Sequence, residues 1–400
     1  MKKPLLSLAL LAAVSAVAGD WPQFRGPHGN GVSDEAPLNW KLDAANVIAW
    51  AANLPGRGVS SPIVVGDRVF VTAASGARQD QLHVLCLNAA DGSVRWERTF
   101  WATGRTMCAE KTSVAGPTPA SDGARIYALF SSSDLVCLDL DGNLIWLRGI
   151  TLDYPNVSNS LGMASSLAVA EGVLIAQVET DAESYAVGFD PLTGTNRWRL
   201  DRPKMANWTS PLRFTSAEGK TLVALQSGKG VAAIEPVTGK IVWNYAGGAA
   251  TIPSGAAAGG VLYVPSFGIT ALQPEPGQPA PKQLWRAGTM RPGTASPTVV
   301  GDRVYVVNDA GVLSCAATAT GERLWQLRLK GPFSASPVVV GGTLWAVSEK
   351  GVIQVVDLSQ PEGAVIGERD LADTILATPA IANGALYVRS YSRLWKFGGR

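Results

Sequence analysis

Ten side chains able to grip a charged or polar molecule stand in segments that each precede a recurring small-small-Pro signal: Arg57, Glu110, Lys111, Asp153, Asn156, Asn159, Lys204, Asn207, Trp208 and Arg291. Most lie in "GRTMCAEKTSVAGPTP" (104–119), "TLDYPNVSNSLGMASS" (151–166), "DRPKMANWTSP" (201–211) and "AGTMRPGTASP" (287–297), which are longer and more polar than a turn requires. Guanidinium and ammonium groups hold carboxylates through charge-assisted hydrogen bonds, carboxylates and amides offer oxygens to cations, and an indole offers a flat apolar plate. The set therefore predicts a mixed-charge surface for a ligand or a partner. The same residues would also serve as solvated loops that satisfy one another's hydrogen bonds, and both readings stand.

Other chemistries have less support. His28 and His83 are the only histidines, and no CxxC, CxxCH or adjacent Cys pair occurs, so a zinc site or a covalently attached haem lacks a ligand set. Neither histidine lies in a recognisable nucleophile or base motif. Cys86, Cys137 and Cys315 occupy similar places in a repeat and read as small buried hydrophobes rather than disulfide partners, whereas Cys108 has no such explanation.

What positions the polar segments is a repeat. "SSPIVVGDRVFV" (60–71), "ASPTVVGDRVYV" (295–306), "ASPVVVGGTLWAV" (335–347) and "ATPAIANGALYV" (377–388) are clear starts, and weaker copies begin at 116, 164, 209 and 252. Each leads through a hairpin to a third strand and then through a TG or DG turn to a fourth, as in "PLTGTNRW" (191–198). The turn glycine supplies the positive φ the hairpin needs. The tryptophan supplies an apolar plate for the wedge between neighbouring sheets. Trp96, Trp146, Trp198, Trp243, Trp285 and Trp325 close six units; in the seventh, "GAVIGERDL" (363–371) stands in that place. The eighth ends on its third strand, "RLWKFG" (393–398), and "NVIAWAANL" (46–54), carrying Trp50, is the strand available to complete it. Repeats of this length indicate propellers or solenoids. The prediction is an all-β, eight-bladed β-propeller of four-stranded antiparallel blades over 46–400, closed by pairing the N-terminal strand with the last blade.

The 43 Gly, 25 Pro, 13 Trp and 16% charged residues agree with short strands and tight turns. Lys2 and Lys3, the apolar run Leu5 to Val17 and Ala16-Val17-Ala18 read as a signal peptide over 1–18, cleaved after Ala18. That implies a periplasmic or secreted protein, without a lipidation Cys or a transmembrane segment. Without Lys2 and Lys3 the 34 basic residues become 32, matching the 32 acidic ones. A neutral chain gives no electrostatic affinity for nucleic acid. Residues 19–45 read as an arm packing Trp21, Phe24 and Trp40 on the propeller, and "QPEPGQPAPKQ" (273–283) as a solvated loop.

The units "SSPIVVGDRVFV…LHVLCLNAADGSVRW" and "ASPTVVGDRVYV…VLSCAATATGERLW" resemble the repeat of the pyrroloquinoline-quinone (PQQ)-like β-propeller superfamily, over about 46–398. That superfamily includes quinoprotein alcohol dehydrogenases and the non-catalytic assembly protein BamB. The dehydrogenases would imply PQQ beside Ca²⁺, held by carboxylate and amide oxygens, with an Asp as base and adjacent cysteines. No matching oxygen set or Cys pair is found here. The expectation is therefore an exported, monomeric, non-catalytic scaffold for an envelope protein partner, without metal or cofactor. The alternative is a PQQ/Ca-dependent dehydrogenase or a small-ligand binder using the central funnel.

Overall fold

The computed structural model describes residues 19–157 and 161–398; the signal-peptide reading and Asn159 lie outside them. Eight four-stranded antiparallel sheets follow one another around a ring: blade 1 spans 63–101, blade 2 120–149, blade 3 168–201, blade 4 212–245, blade 5 256–287, blade 6 298–328 and blade 7 338–370. Blade 8 takes three strands from 380–397 and its outermost strand, Ile48–Asn53, from the other end of the chain. Ala51 lies opposite Trp395 in that closing pair. The pairing covers the outer edge of Arg393–Phe397 and completes the last blade, so that each blade presents only one short outer strand edge. The only helix among the described residues is Ile150–Asp153, and no helix there is long and apolar enough to cross a membrane.

The Gly-x-x-x-Trp pattern has a double cause. The turn glycines Gly92, Gly142, Gly194, Gly239, Gly321 and Gly363 all have positive φ, between 67° and 84°. Each also lies flat on the tryptophan of the preceding blade: a Cβ on Gly142 would stand 2.7 Å from Trp96, and one on Gly239 2.5 Å from Trp198. In return, indole Nε1 atoms donate across the seam, from Trp50 to Ala89 O (3.1 Å), Trp96 to Leu140 O (3.0 Å), Trp146 to Pro191 O (3.1 Å), Trp198 to Pro236 O (2.8 Å) and Trp285 to Thr318 O (2.8 Å). Tryptophan is thus both wedge and tether. At the blade 4/5 seam the Pro-rich segment replaces the glycine turn, and the buried Trp243 Nε1 has no partner. An open cleft of about 670 Å³ lies beside it, lined by Trp243, Pro274 and Glu275 among others.

The tryptophan absent from blade 7 is replaced from the arm. Gly367 holds its register, opposite Val355 as Trp325 is opposite Cys315, and a Cβ placed on it would stand 3.6 Å from Leu42 Cβ, in ordinary van der Waals contact. Trp40 adds a tilted contact with Trp345, centroids 5.2 Å apart, and donates to Gly384 O. Cys86 and Cys137 lie opposite their blade tryptophans as Cys315 does, and all four cysteines are free thiols.

The small-small-Pro signal has a cause that propensity alone does not reveal. Its second residue carries a hydroxyl that accepts the backbone N–H of its counterpart in the preceding blade. The chain of bonds runs Ser61 to Thr118, Ser166, Ser210, Ser254, Ser296, Ser336 and Thr378, each step 2.9–3.0 Å. This belt lines the central channel and ties the innermost strands together. Because each hydroxyl answers a buried amide, Ser210→Ala is expected to lower stability by about 1–2 kcal/mol, read as an earlier urea midpoint with an unchanged slope.

Candidate functional site

Antiparallel order sends the connections between blades, and the hairpins joining second to third strands, to one face of the ring, here the loop face. The arm occupies the opposite face. Trp21 pairs with Val64 of blade 1, Val32 with Val339 of blade 7, and the Glu35 carboxylate accepts from the amides of Asn383 and Gly384 in blade 8. Between them the buried Arg25 donates to Gly255 O (2.7 Å) and to Pro297 O, one residue beyond the hydroxyls of Ser254 and Ser296. Burial without a carboxylate partner pushes this guanidinium down to about 9. The arm thus crosses directly beneath the belt, on the side away from the loop face.

On that face three of the sequence-predicted residues come together. Arg57 lies over the Tyr391 ring, its Cζ 4.0 Å from the centroid, and its Nη2 donates to Glu110 O at 2.6 Å. Tyr391 donates its hydroxyl to Lys111 O (2.8 Å), and Lys111 Nζ reaches Glu349 Oε1 of blade 7 at 2.6 Å. Ser334 Oγ donates to the same carboxylate oxygen at 2.6 Å, and Thr294 Oγ1 lies 3.4 Å from Ser334 Oγ. The long connection from blade 1 to blade 2 therefore arches back over blade 8 to blade 7. The result is a hub of two cations, one carboxylate, one phenol ring and two hydroxyls. Glu349, with its side chain 16% exposed, and Tyr391 were missed in the sequence because the short hairpins "SEKG" and "SYSR" carry no more than turn signals.

The other predicted residues lie elsewhere. Asp153, at the end of the short helix, pairs with Arg148 on the outermost strand of blade 2, and Asn156 follows it, exposed. Lys204 is exposed, and Arg291 stacks on the exposed Phe267, 4.1 Å from its centroid, while Nε donates to Gly288 O. Asn207 is buried wall, donating to Thr209 Oγ1 and Gln226 O, and Trp208 donates to Gly162 O at 2.8 Å. Asn207 borders a buried ion pair, Glu179 with Arg202, at 2.7 Å.

The blade 8/1 seam holds a second buried guanidinium that, like Arg25, has no carboxylate partner. Arg389 donates Nη1 to Ser60 O (3.0 Å) and to Ser60 Oγ, while Nη2 has no partner. Burial brings it down to about 9. Gln177 and Gln226 hold the same register in blades 3 and 4, and each likewise bonds to backbone carbonyls of the following blade or its entry. Gly58 faces Arg389 so closely that any side chain there would collide with it.

Comparison with known proteins adds three findings. Residues 34–162, 157–256 and 266–366 match the model of the PQQ-repeat family described as outer membrane protein assembly factor BamB. Polyvinylalcohol dehydrogenase from Pseudomonas sp. is 32% identical over 180 residues, 40% of this chain and 26% of the relative; its namesake from Sphingopyxis sp. (strain 113P3) is 26% identical over 203 residues, 46% and 28%. The chain spans about a quarter of the length of these curated relatives. Among solved structures, quinohemoprotein alcohol dehydrogenase from Comamonas testosteroni superposes with a TM-score of 0.70 at 15% identity (97% of this chain, 82% of the other), and BamB from Moraxella catarrhalis with 0.60 at 16% (88% and 97%). At such identities these structures speak for the fold. The named dehydrogenase relatives overturn the expectation of a non-catalytic assembly scaffold and favour its alternative. Matches across most of its length, on a ring of eight PQQ-type blades, make this chain a member of the PQQ-repeat propeller family described as outer membrane protein assembly factor BamB.

Proposed function

We propose that the chain is an oxidoreductase-type propeller that oxidises secondary alcohols, of the kind repeated in polyvinyl alcohol, at the hub on its loop face. The observation that carries the proposal is the convergence of Arg57, Lys111, Tyr391 and Glu349 on the face of the ring away from the arm. A carboxylated quinone fits this hub: Arg57 and Lys111 would hold its carboxylates and Tyr391 would border its ring. Bound there, it would supply the two-electron acceptor. A divalent ion fits less well. No group of three or more His, Cys, Asp or Glu converges among the described residues, and the Lys111 ammonium already neutralises Glu349. No step is therefore assigned to a metal.

The chain's own residues would bind and orient. Lys111 pairs with Glu349 at 2.6 Å, and the Glu349 carboxylate is the group placed to accept the alcohol proton. The arched connection 102–119, pinned by Arg57 and Tyr391, narrows access of water from above. The basic start and apolar run of residues 2–17 favour a place outside the cytoplasm.

Titration of the purified chain with PQQ, followed by tryptophan fluorescence, is expected to saturate and to be insensitive to EDTA. Arg57→Ala or Lys111→Ala should weaken binding by about 10-fold or more, the scale of one charge-assisted bond. Glu349→Gln should spare binding and abolish dye reduction with secondary alcohols. Neither saturable binding nor alcohol-dependent dye reduction by the wild-type chain would remove the proposal.

A further inference from the structure

Blade 1 carries a constellation that the hub does not use. Ser75 Oγ lies 2.7 Å from His83 Nε2, and His83 Nδ1 lies 2.7 Å from Glu97 Oε1. The three residues stand on three adjacent strands, Arg68–Ser75, Gln81–Asn88 and Val94–Trp101. Side chains alternate between faces along a strand, and these three share the face that presents Val71, Ala73 and Leu85 to the blade 8 seam. A carboxylate cannot donate, so Nδ1 carries the proton toward Glu97. Nε2 is then left as an acceptor for the hydroxyl proton of Ser75, and at 2.7 Å it is closer than the competing acceptor Gln81 Oε1 at 3.1 Å. That is the order of a nucleophile, its general base and the group that orients the base, which is recognised by geometry rather than by sequence position.

Burial is graded as this chemistry requires. The His83 side chain is 8% exposed, the Glu97 side chain 37%, and Ser75 is half-buried at the end of its strand on the loop face. Gly76, at φ +85°, turns the chain off the sheet directly after Ser75. Its amide and that of Ala77 are the backbone donors nearest in sequence for a developing oxyanion, while Gln81 Oε1, 3.1 Å from Ser75 Oγ, is an acceptor for the Ser75 hydroxyl. Thr99 Oγ1, 3.2 Å from His83 Nδ1, steadies the ring from the side. Trp101, 67% exposed, is paired with Gln81 in register and belongs to the same face, a flat apolar plate beside the hydroxyl.

We propose that Ser75, His83 and Glu97 form an acyl-transfer site for carboxylic esters whose apolar part rests on Trp101. In the first half-reaction Ser75 Oγ bonds to the ester carbonyl carbon. Its proton passes to His83 Nε2 and on to the leaving alkoxide, which departs as an alcohol. In the second, water gives its proton to His83 and its oxygen to the acyl carbon, releasing the carboxylic acid and restoring the Ser75 hydroxyl. Glu97 holds the imidazolium in both. The step needs only water as co-reactant and no electron acceptor, which separates it from the hub.

The test uses the full chain with a fluorophosphonate probe and with p-nitrophenyl acetate. Peptide mapping is expected to place the adduct on Ser75, and ester hydrolysis should fall by about a hundredfold or more in both Ser75→Ala and Glu97→Gln. An unchanged melting temperature in Glu97→Gln would show that the loss is not unfolding. An unlabelled Ser75 in the folded wild-type chain, or hydrolysis undiminished in Ser75→Ala, would overturn the assignment. Alcohol oxidation at the hub should be the same in Ser75→Ala as in wild type, so the two sites fail or stand separately.

Discussion

Gly194→Ala is expected to destabilise the propeller by about 3 kcal/mol, and about half of that loss should vanish when Trp146 is also removed. Two costs combine at Gly194. Its φ of 71° charges any side chain about 1–2 kcal/mol. A Cβ would also lie 2.7 Å from Trp146 Cδ2 and 2.8 Å from Cε3, an overpacking cost of about 1–3 kcal/mol. Trp146→Ala alone loses the wedge and the Nε1 tether to Pro191 O, about 3 kcal/mol for this partly exposed indole. In that background the clash is gone, so Gly194→Ala should cost only its conformational share. Urea unfolding of the four chains in a double-mutant cycle measures the difference, expected as about 1–2 kcal/mol of coupling. Gly66→Ala is the internal control: φ is 58° with open space around the Cβ, so it should show the conformational cost alone. Strict additivity of Trp146→Ala and Gly194→Ala would show that the seam does not depend on their contact.

The same contact explains why the architecture was legible and the site only partly so. Glycine and tryptophan recur because the seam geometry is the same at each repeat, and a constraint imposed that often becomes a visible period. Ile48–Asn53 could be assigned to blade 8 because one strand was missing at one end and one spare at the other. The arm's substitution of Leu42 for the seventh tryptophan was signalled only by Gly367, a gap that names no filler. Sites lack such repetition. Glu349 and Lys111 are 238 residues apart, and only the curvature of the ring brings them within 2.6 Å. Ser75, His83 and Glu97 lie 8 and 14 positions apart along a meander, so their shared face depends on strand register rather than on a motif. Asp153 lies apart from the hub because a single helical turn, Ile150–Asp153, carries it to Arg148 on the outermost strand of blade 2. Asn207 was read as a loop residue, yet the chain re-enters the ring there and its amide serves the wall.

The buried pair behind Asn207 should respond to pH in a direction opposite to that of a surface ion pair. Glu179 Oε1 accepts from Arg202 Nε at 2.7 Å and from Gln177 Nε2 at 2.8 Å, and the Glu179 side chain is wholly shielded from solvent. Burial raises the Glu179 carboxyl above its ordinary range, with Arg202 as the main opposing influence. Arg202→Leu removes that opposition and leaves an uncompensated buried charge, a loss of about 3–5 kcal/mol near neutral pH. The sign follows from proton binding. With its folded value raised, Glu179 binds its proton more readily in the folded than in the unfolded chain, so lowering the pH toward the unfolded carboxyl value favours folding. Arg202→Leu should therefore recover stability relative to wild type as pH falls from 7.5 to 5, whereas loss of an exposed ion pair would show little such recovery. Glu179→Gln in the same chain removes the charge altogether, so the double variant should regain most of the loss at pH 7.5 and lose the differential pH dependence. Urea midpoints of the three variants and wild type at the two pH values decide it: a deficit in Arg202→Leu that is equal at both, or that Glu179→Gln does not relieve, would mean that the Arg202 contact to Leu225 O, and not its charge, is what the seam needs.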